Sequence, residues 1–254
     1  MELLKIADAL VADLRPLQFG KHAAYVYNPL EYARPLYEAY VQRYGQGRRE
    51  IVMAGMNPGP WGMAQTGVPF GEVGAVRDWL RLDRPIGRPK REHPSRPVMG
   101  LACTRSEVSG RRLWGWAKAT FGEPQRFFER FFVANYCPLC FMEACGRNLT
   151  PDKLPKKERE ALQAICDRAF RRTIEHFQPA WIIGLGNFAA ARARTALEGL
   201  NVRIGTVLHP SPASPRANHD WAAQATARLQ ELGIQLPHRA AIKPLPAPAP
   251  ALRQ

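Results

Sequence analysis

Apolar residues recur along this chain with two different periods, and their alternation predicts an architecture. Residues 1–14 carry Leu3, Leu4, Ile6, Ala7, Leu10, Val11 and Leu14, the stripe of an amphipathic helix, and residues 30–44 show a second such stripe. Ile51-Val52-Met53-Ala54 is a short continuous apolar run ending at Gly55, the pattern of a strand buried on both faces. Phe131-Phe132-Val133-Ala134-Asn135-Tyr136 and Trp181-Ile182-Ile183-Gly184-Leu185 read the same way, and residues 202–208 form a further strand. Helix is expected over 74–80, over 109–121 with Ser109 as a cap, from a start marked by Thr150-Pro151-Asp152 and then Pro155 to about Phe177, over 187–197 and over 214–232. Strands alternating with helices at this interval suit βαβ units, so the chain is α/β with a mainly parallel sheet covered on both faces.

The first strand runs into Gly55-Met56-Asn57-Pro58-Gly59-Pro60-Trp61-Gly62-Met63-Ala64-Gln65-Thr66-Gly67-Val68-Pro69-Phe70-Gly71-Glu72-Val73. Glycine lets backbone approach a ligand or take positive φ, and proline stiffens a loop. A connection several times the ordinary length, rich in both and set at the carboxyl end of a strand, is built to hold a shape around something. A second stiff loop, His209-Pro210-Ser211-Pro212-Ala213-Ser214-Pro215-Arg216-Ala217-Asn218, follows the last strand and is expected to open the last helix. There Arg216 and the free N–H groups of the helix start are placed to hold phosphate. Ligands in such folds bind beyond the carboxyl ends of the strands. Asn57, Asn135 and His209 fall at three such ends, which argues for one shared pocket.

Composition narrows the class. The 254 residues carry a net charge of +14, a field that attracts polyanions, nucleic acid foremost. Residues 83–97 concentrate Arg84, Arg88, Lys90, Arg91 and Arg96 among four prolines, an irregular segment that is either a solvated loop or a basic arm lying along phosphates. No apolar run is long enough to span a bilayer and no secretion signal opens the chain, so the expected location is a bacterial cytoplasm or, in a eukaryote, the nucleus. The five cysteines read as reduced thiols. Cys137-Pro138-Leu139-Cys140 has metal or redox spacing, but no second Cys-x-x-Cys completes a zinc site, so buried structural thiols are expected and no metal. The length suits a single domain over 1–236, followed by a Pro/Ala-rich tail over 237–254 expected to be flexible.

Taken together, the Gly-Met-Asn-Pro-Gly-Pro loop with its Gly-Val-Pro-Phe-Gly-Glu continuation, the Phe131–Leu139 segment and the His-Pro-Ser-Pro loop resemble the single-strand-selective monofunctional uracil-DNA glycosylases of the uracil-DNA glycosylase superfamily. The resemblance implies a three-layer αβα fold around a four-stranded sheet. It also implies an enzyme that flips uracil out of DNA and hydrolyses its N-glycosidic bond, leaving an abasic site. His209 then stabilises the departing base at O2, assisted by backbone around Met56, and Asn57 holds the attacking water. Phe70 stacks on the base, Asn135 reads its O4 and N3–H edge, and Gly59 and Met63 face C5, with room for 5-hydroxymethyluracil. Ser211, Pro212, Ala213, Ser214 and Arg216 form the loop that meets DNA. Family members often carry an arginine straight after His-Pro-Ser-Pro to fill the gap left by the flipped base; here that position is Ala213. The implied substrate is uracil-containing DNA, single- or double-stranded, acted on by a monomer without cofactor.

Two other readings compete. A non-catalytic DNA-binding module fits the charge and the rigid loops but gives no reason for Asn57, Phe70, Asn135 and His209 to converge. A dinucleotide-dependent enzyme fits Gly184-Leu185-Gly186-Asn187-Phe188-Ala189 between a strand and a helix, but the acidic ribose partner expected about 20 residues on is missing.

Overall fold

Seven strands and nine α-helices are laid down in chain order among the described residues, 1–237, of this computed structural model. The helices are α1 (Glu2–Leu14), α2 (Pro29–Tyr32), α3 (Arg34–Tyr44), α4 (Met63–Thr66), α5 (Val108–Phe121), α6 (Pro124–Arg130), α7 (Lys156–Phe177), α8 (Asn187–Ala196) and α9 (Trp221–Glu231). The strands are β1 (Tyr25–Tyr27), β2 (Ile51–Gly55), β3 (Phe131–Asn135), β4 (Cys140–Met142), β5 (Asn148–Leu149), β6 (Trp181–Leu185) and β7 (Arg203–Val207).

The central sheet has the order β3-β2-β6-β7 and is parallel throughout. Every residue of β2 is buried, which is why that strand reads as an unbroken apolar run rather than an alternating one. Helices α1, α7 and α8 pack on one another, as do α5, α6 and α9, and together they flank the sheet. One side of the core is strongly aromatic: Trp114, Trp116, Phe121, Phe127 and Phe131 meet mostly edge to face. The register sets Gly55 opposite Asn135, so the carboxyl ends of β2 and β3 lie side by side.

Several expectations need correction. The 30–44 segment is two helices, broken at Ala33, because Pro35 has no N–H to continue the first ladder. Ser109 is not a cap; Glu107 holds the N-cap position of α5 and caps nothing with its side chain. Residues 75–79 form a π-helical turn. The last helix begins at Trp221, not at residue 214: Pro215–Asn218 is a 3-10 turn, and the Asp220 carboxylate accepts from Ala223 N at 3.1 Å to cap α9. A small antiparallel sheet, β1-β4-β5, was not foreseen, since strands of two or three residues are too short to show a period. Residues 83–97 have no regular structure, as their prolines require. Cys103, Cys137, Cys140 and Cys166 are buried free thiols and Cys145 is exposed. The tail beyond Pro237 lies outside the described residues.

Candidate active site

A cavity of about 470 Å³ opens at the carboxyl ends of β2, β3 and β7. Its walls include Met56, Asn57, Gly59, Met63, Phe70, Asn135, His209, Ser211, Ala213 and Ser214, ten of the residues singled out by the sequence. Pro212 and Arg216 do not line it. The Pro212 carbonyl accepts from Asn218 Nδ2, and Arg216 sits in the 3-10 turn that precedes α9, not at the start of that helix.

The long loop owes its shape to buried polar groups. Gln65 is fully buried and donates from Nε2 to the carbonyls of Pro60 (2.9 Å) and Pro97 (3.0 Å), while its Oε1 accepts from Met99 N. Thr66 Oγ1 donates to Gly71 O at 3.0 Å and accepts from Val68 N. Trp114 Nε1 donates to Phe70 O, fixing Phe70 at φ 54, a left-handed conformation that is unusual away from glycine. The glycine at the end of β2 is equally specific: a Cβ on Gly55 would lie 2.4 Å from the Phe70 ring and 2.5 Å from Asn135 Oδ1. Only a residue without a side chain lets those two groups meet over the strand end.

Each polar side chain has one half of its hydrogen-bonding capacity tied down and the other half free. Asn57 Nδ2 donates to Leu139 O (3.1 Å) and Pro58 O (3.3 Å), leaving Oδ1 as its open acceptor. Asn135 Nδ2 meets Met63 Sδ at 3.2 Å, and its Oδ1 is buried without a partner. Buried carbonyl oxygens are ordinarily paired, so this one is the acceptor that the cavity offers to an N–H donor. His209 Nδ1 accepts from Ser211 N at 3.1 Å, which puts the proton of the neutral ring on Nε2. Burial pushes its pKa down to about 4, so the imidazole is neutral at physiological pH. Its ring lies 6.1 Å from that of Phe70, and a Cβ on Gly186 would approach the His209 Cβ to 3.0 Å and the ring to 3.4 Å. Gly184 is more tightly crowded, a Cβ there lying 2.5 Å from Ala190 N. Packing accounts for Gly184 and a φ of +92 for Gly186, so both glycines of the Gly-Leu-Gly motif are explained with no dinucleotide needed.

Glu107, Ser109, Asn148 and Thr150 also line the cavity and were not anticipated. Glu107 is the most telling. Its Oε2 is enclosed without a hydrogen bond, and burial, with Glu72 adding like charge, pushes its pKa up to about 7. The carboxyl fits where side chains on Gly59 and Gly62 would go, 2.5 and 1.8 Å from their hypothetical Cβ atoms. The loop glycines were a sign that something must press against them, but not of which residue does so.

The family model of the uracil DNA glycosylase superfamily matches residues 42–254. The chain is 52% identical over 227 residues to the single-strand selective monofunctional uracil DNA glycosylase of Mus musculus, spanning 89% of this chain and 81% of that protein. It is 49% identical over 241 residues to the protein of that name in Rattus norvegicus, spanning 93% and 87% of the two chains. The Bos taurus protein is 50% identical over 224 residues, spanning 87% and 82%. The crystal structure of wild-type SMUG2 from Pedobacter heparinus superposes with a TM-score of 0.63 at 16% identity, covering 91% of this chain and 99% of that one, a likeness of fold alone. On the extent and identity of these matches, this chain belongs to the uracil-DNA glycosylase superfamily, among its single-strand-selective monofunctional members.

Proposed function

We infer that the chain is a monofunctional uracil-DNA glycosylase of DNA repair, which breaks the bond between uracil N1 and deoxyribose C1′ and leaves an abasic site. One observation carries this reading: a neutral histidine with a free N–H, an asparagine with a free carbonyl, a second asparagine with a bare buried Oδ1 and an aromatic ring all face one cavity. The names of the relatives supply the substrate.

The chemistry follows from where charge develops. Bond breaking leaves positive character on the sugar and negative charge on the base. The base must first leave the stack, and Phe70 offers it a flat apolar face. Asn135 accepts from uracil N3–H through Oδ1 and turns Nδ2 toward O4; cytosine, with a bare N3 and an amino group at C4, mismatches at both positions. His209 donates from Nε2 to O2 and strengthens that bond as the anion forms. Being neutral, it stabilises the leaving group without first giving up a proton. Asn57 Oδ1 aligns the water that adds to C1′; its contribution is placement, because an amide is a poor base. The water's hydroxyl ends on C1′ and its second proton passes to the departing base or to solvent. Gly59 and Met63 flank C5 and leave space for a hydroxymethyl group. Ala213 offers no long side chain to fill a duplex, yet both single and double strands reach the cavity. The enzyme works as a monomer inside the cell, and no step requires a metal or an organic cofactor.

Incubating the protein with a uracil-containing oligonucleotide, followed by hot alkali, tests the reading. Scission at the uracil position is expected after alkali and not before it, and chelator leaves the rate unchanged. Strands that stay whole after alkali would leave only a DNA-binding module.

A further inference from the structure

The arginine-rich segment 83–97 and the site loop are fastened together, and the junction has a chemistry of its own. Gln65 donates both to Pro60, in the site loop, and to Pro97, at the end of the basic segment. Tyr27 Oη accepts from His93 N (2.6 Å) and donates to Arg96 O (3.0 Å), and Glu92 Oε1 accepts from Val98 N. The basic segment is therefore an ordered strap, irregular only in its dihedrals. At the junction the half-buried indole of Trp61 carries two guanidinium groups, Arg96 at 5.4 Å and Arg105 at 4.9 Å from the ring centroid. Neither arginine has a carboxylate partner among the described residues. The one side-chain hydrogen bond of Arg96 goes to Ser95 O, and Arg105 has none.

A guanidinium resting on an aromatic ring keeps its charge and is partly stripped of water, while the donors on its edge stay open. Two such groups held on one ring are preorganised for oxyanions, not for a carboxylate already present. Their position relative to the cavity is fixed by chain connectivity. Trp61 adjoins Pro60, and Arg105 stands two residues before Glu107; both Pro60 and Glu107 are cavity walls. Two trans peptide units reach at most about 8 Å, so the Cα atoms of Trp61 and Arg105 stand beside residues of the cavity wall.

We propose that Arg96 and Arg105, held by Trp61, form a phosphodiester clamp that grips the single-stranded DNA backbone next to the nucleotide in the cavity. The proposal rests on a nucleotide occupying that cavity. It gives the strap a role that the chemistry at the sugar does not, and Trp61 acts as the positioning residue for the two cations. Binding through phosphates is independent of base sequence, so the clamp serves a searching enzyme as well as an engaged one.

The test uses a uracil-free single-stranded oligonucleotide and follows binding by fluorescence anisotropy across a salt series, with excision from a uracil-containing strand measured in parallel. Each backbone contact in single strands contributes about 0.7 to the slope of log K against log salt, so the R96Q/R105Q protein is expected to lose roughly 1.4 of that slope. Its affinity at low salt falls about tenfold. In excision assays its KM rises while the rate at saturating substrate is retained. Trp61→Ala, with both arginines present, weakens binding in the same direction. R168Q/R172Q, on α7, removes the same charge and leaves the slope in place. An unchanged slope in R96Q/R105Q, or an equal loss in R168Q/R172Q, overturns the clamp. A wild-type protein that binds with the full slope but excises nothing would sink the glycosylase reading instead.

Discussion

His209 is held where a charged imidazole is least favoured, and that is what fits it to its task. Its Nδ1 is committed to Ser211 N, so protonation would set two N–H groups against each other as well as charge a buried ring. With the pKa pushed down to about 4, the single-turnover excision rate of a Glu107→Gln protein, in which the cavity's other titrating group is silent, is expected to stay flat from pH 8 to about 5 and to fall only near 4. A break near the ordinary value of 6.5 would show that the ring titrates freely. His209→Ala and Asn57→Ala should each lower the single-turnover rate by about 10²–10³ while DNA affinity moves only a few-fold, since losing one aligned donor at a developing oxyanion costs of that order. Rates near wild type would remove both from the reacting bond. Asn135→Asp exchanges the Nδ2 donor for an acceptor, so discrimination of uracil from cytosine should erode, read as the ratio of excision rates on the two bases. At this scale the sequence was informative where a polar residue ended an apolar strand, as with Asn135, or opened a stiff loop, as with Asn57 and His209. It was silent on Glu107, which stands in a polar stretch with no period and reaches the cavity by folding toward glycines nearly fifty positions away.

The four core strands were legible as elements because burial on both faces writes itself as continuous apolar runs, and their ends lie within a residue or so of where the runs stop. What was not legible were boundaries set by polar details. The start of α9 depends on the Asp220 cap and not on the end of the preceding proline loop, and the split of α2 from α3 depends on Pro35. The site loop is the element in which shape and chemistry cannot be separated, and Gly55 tests this. Its φ needs no glycine; its surroundings do, because a methyl group there would strike the Phe70 ring and Asn135 Oδ1 at once. Gly55→Ala is therefore expected to cost about 1–3 kcal/mol of stability, the usual range for overpacking, measured as a shift in the urea midpoint at constant slope. It should depress kcat/KM beyond what that loss explains, because both displaced groups face the base. Full activity with a lowered midpoint would mean that the two side chains move aside without consequence.

At the level of the whole molecule, two opposed titrations meet in one cavity. Glu107 is raised from about 4.5 to about 7 and His209 is lowered from about 6.5 to about 4. A carboxyl whose folded pKa is raised contributes stability below its unfolded value, and that contribution is lost as pH rises through 7. A histidine whose folded pKa is lowered contributes stability above 6.5, and that contribution is lost as pH falls through 4. Between pH 4.5 and 6.5 the folded protein therefore takes up a proton at one site that it releases at the other, and the two slopes cancel. Each shift corresponds to roughly 3 kcal/mol across its window. Wild-type stability, from urea unfolding at pH 4.5, 5.5 and 6.5, should be nearly flat as far as these groups are concerned. Glu107→Gln removes the falling branch, so its stability should climb by a few kcal/mol over the same interval and exceed that of the wild type at pH 7. His209→Gln removes the rising branch and should reverse the sign. Parallel curves for the three proteins would mean that neither group is held away from its ordinary pKa, and the neutral imidazole assigned to the leaving base would lose its physical basis.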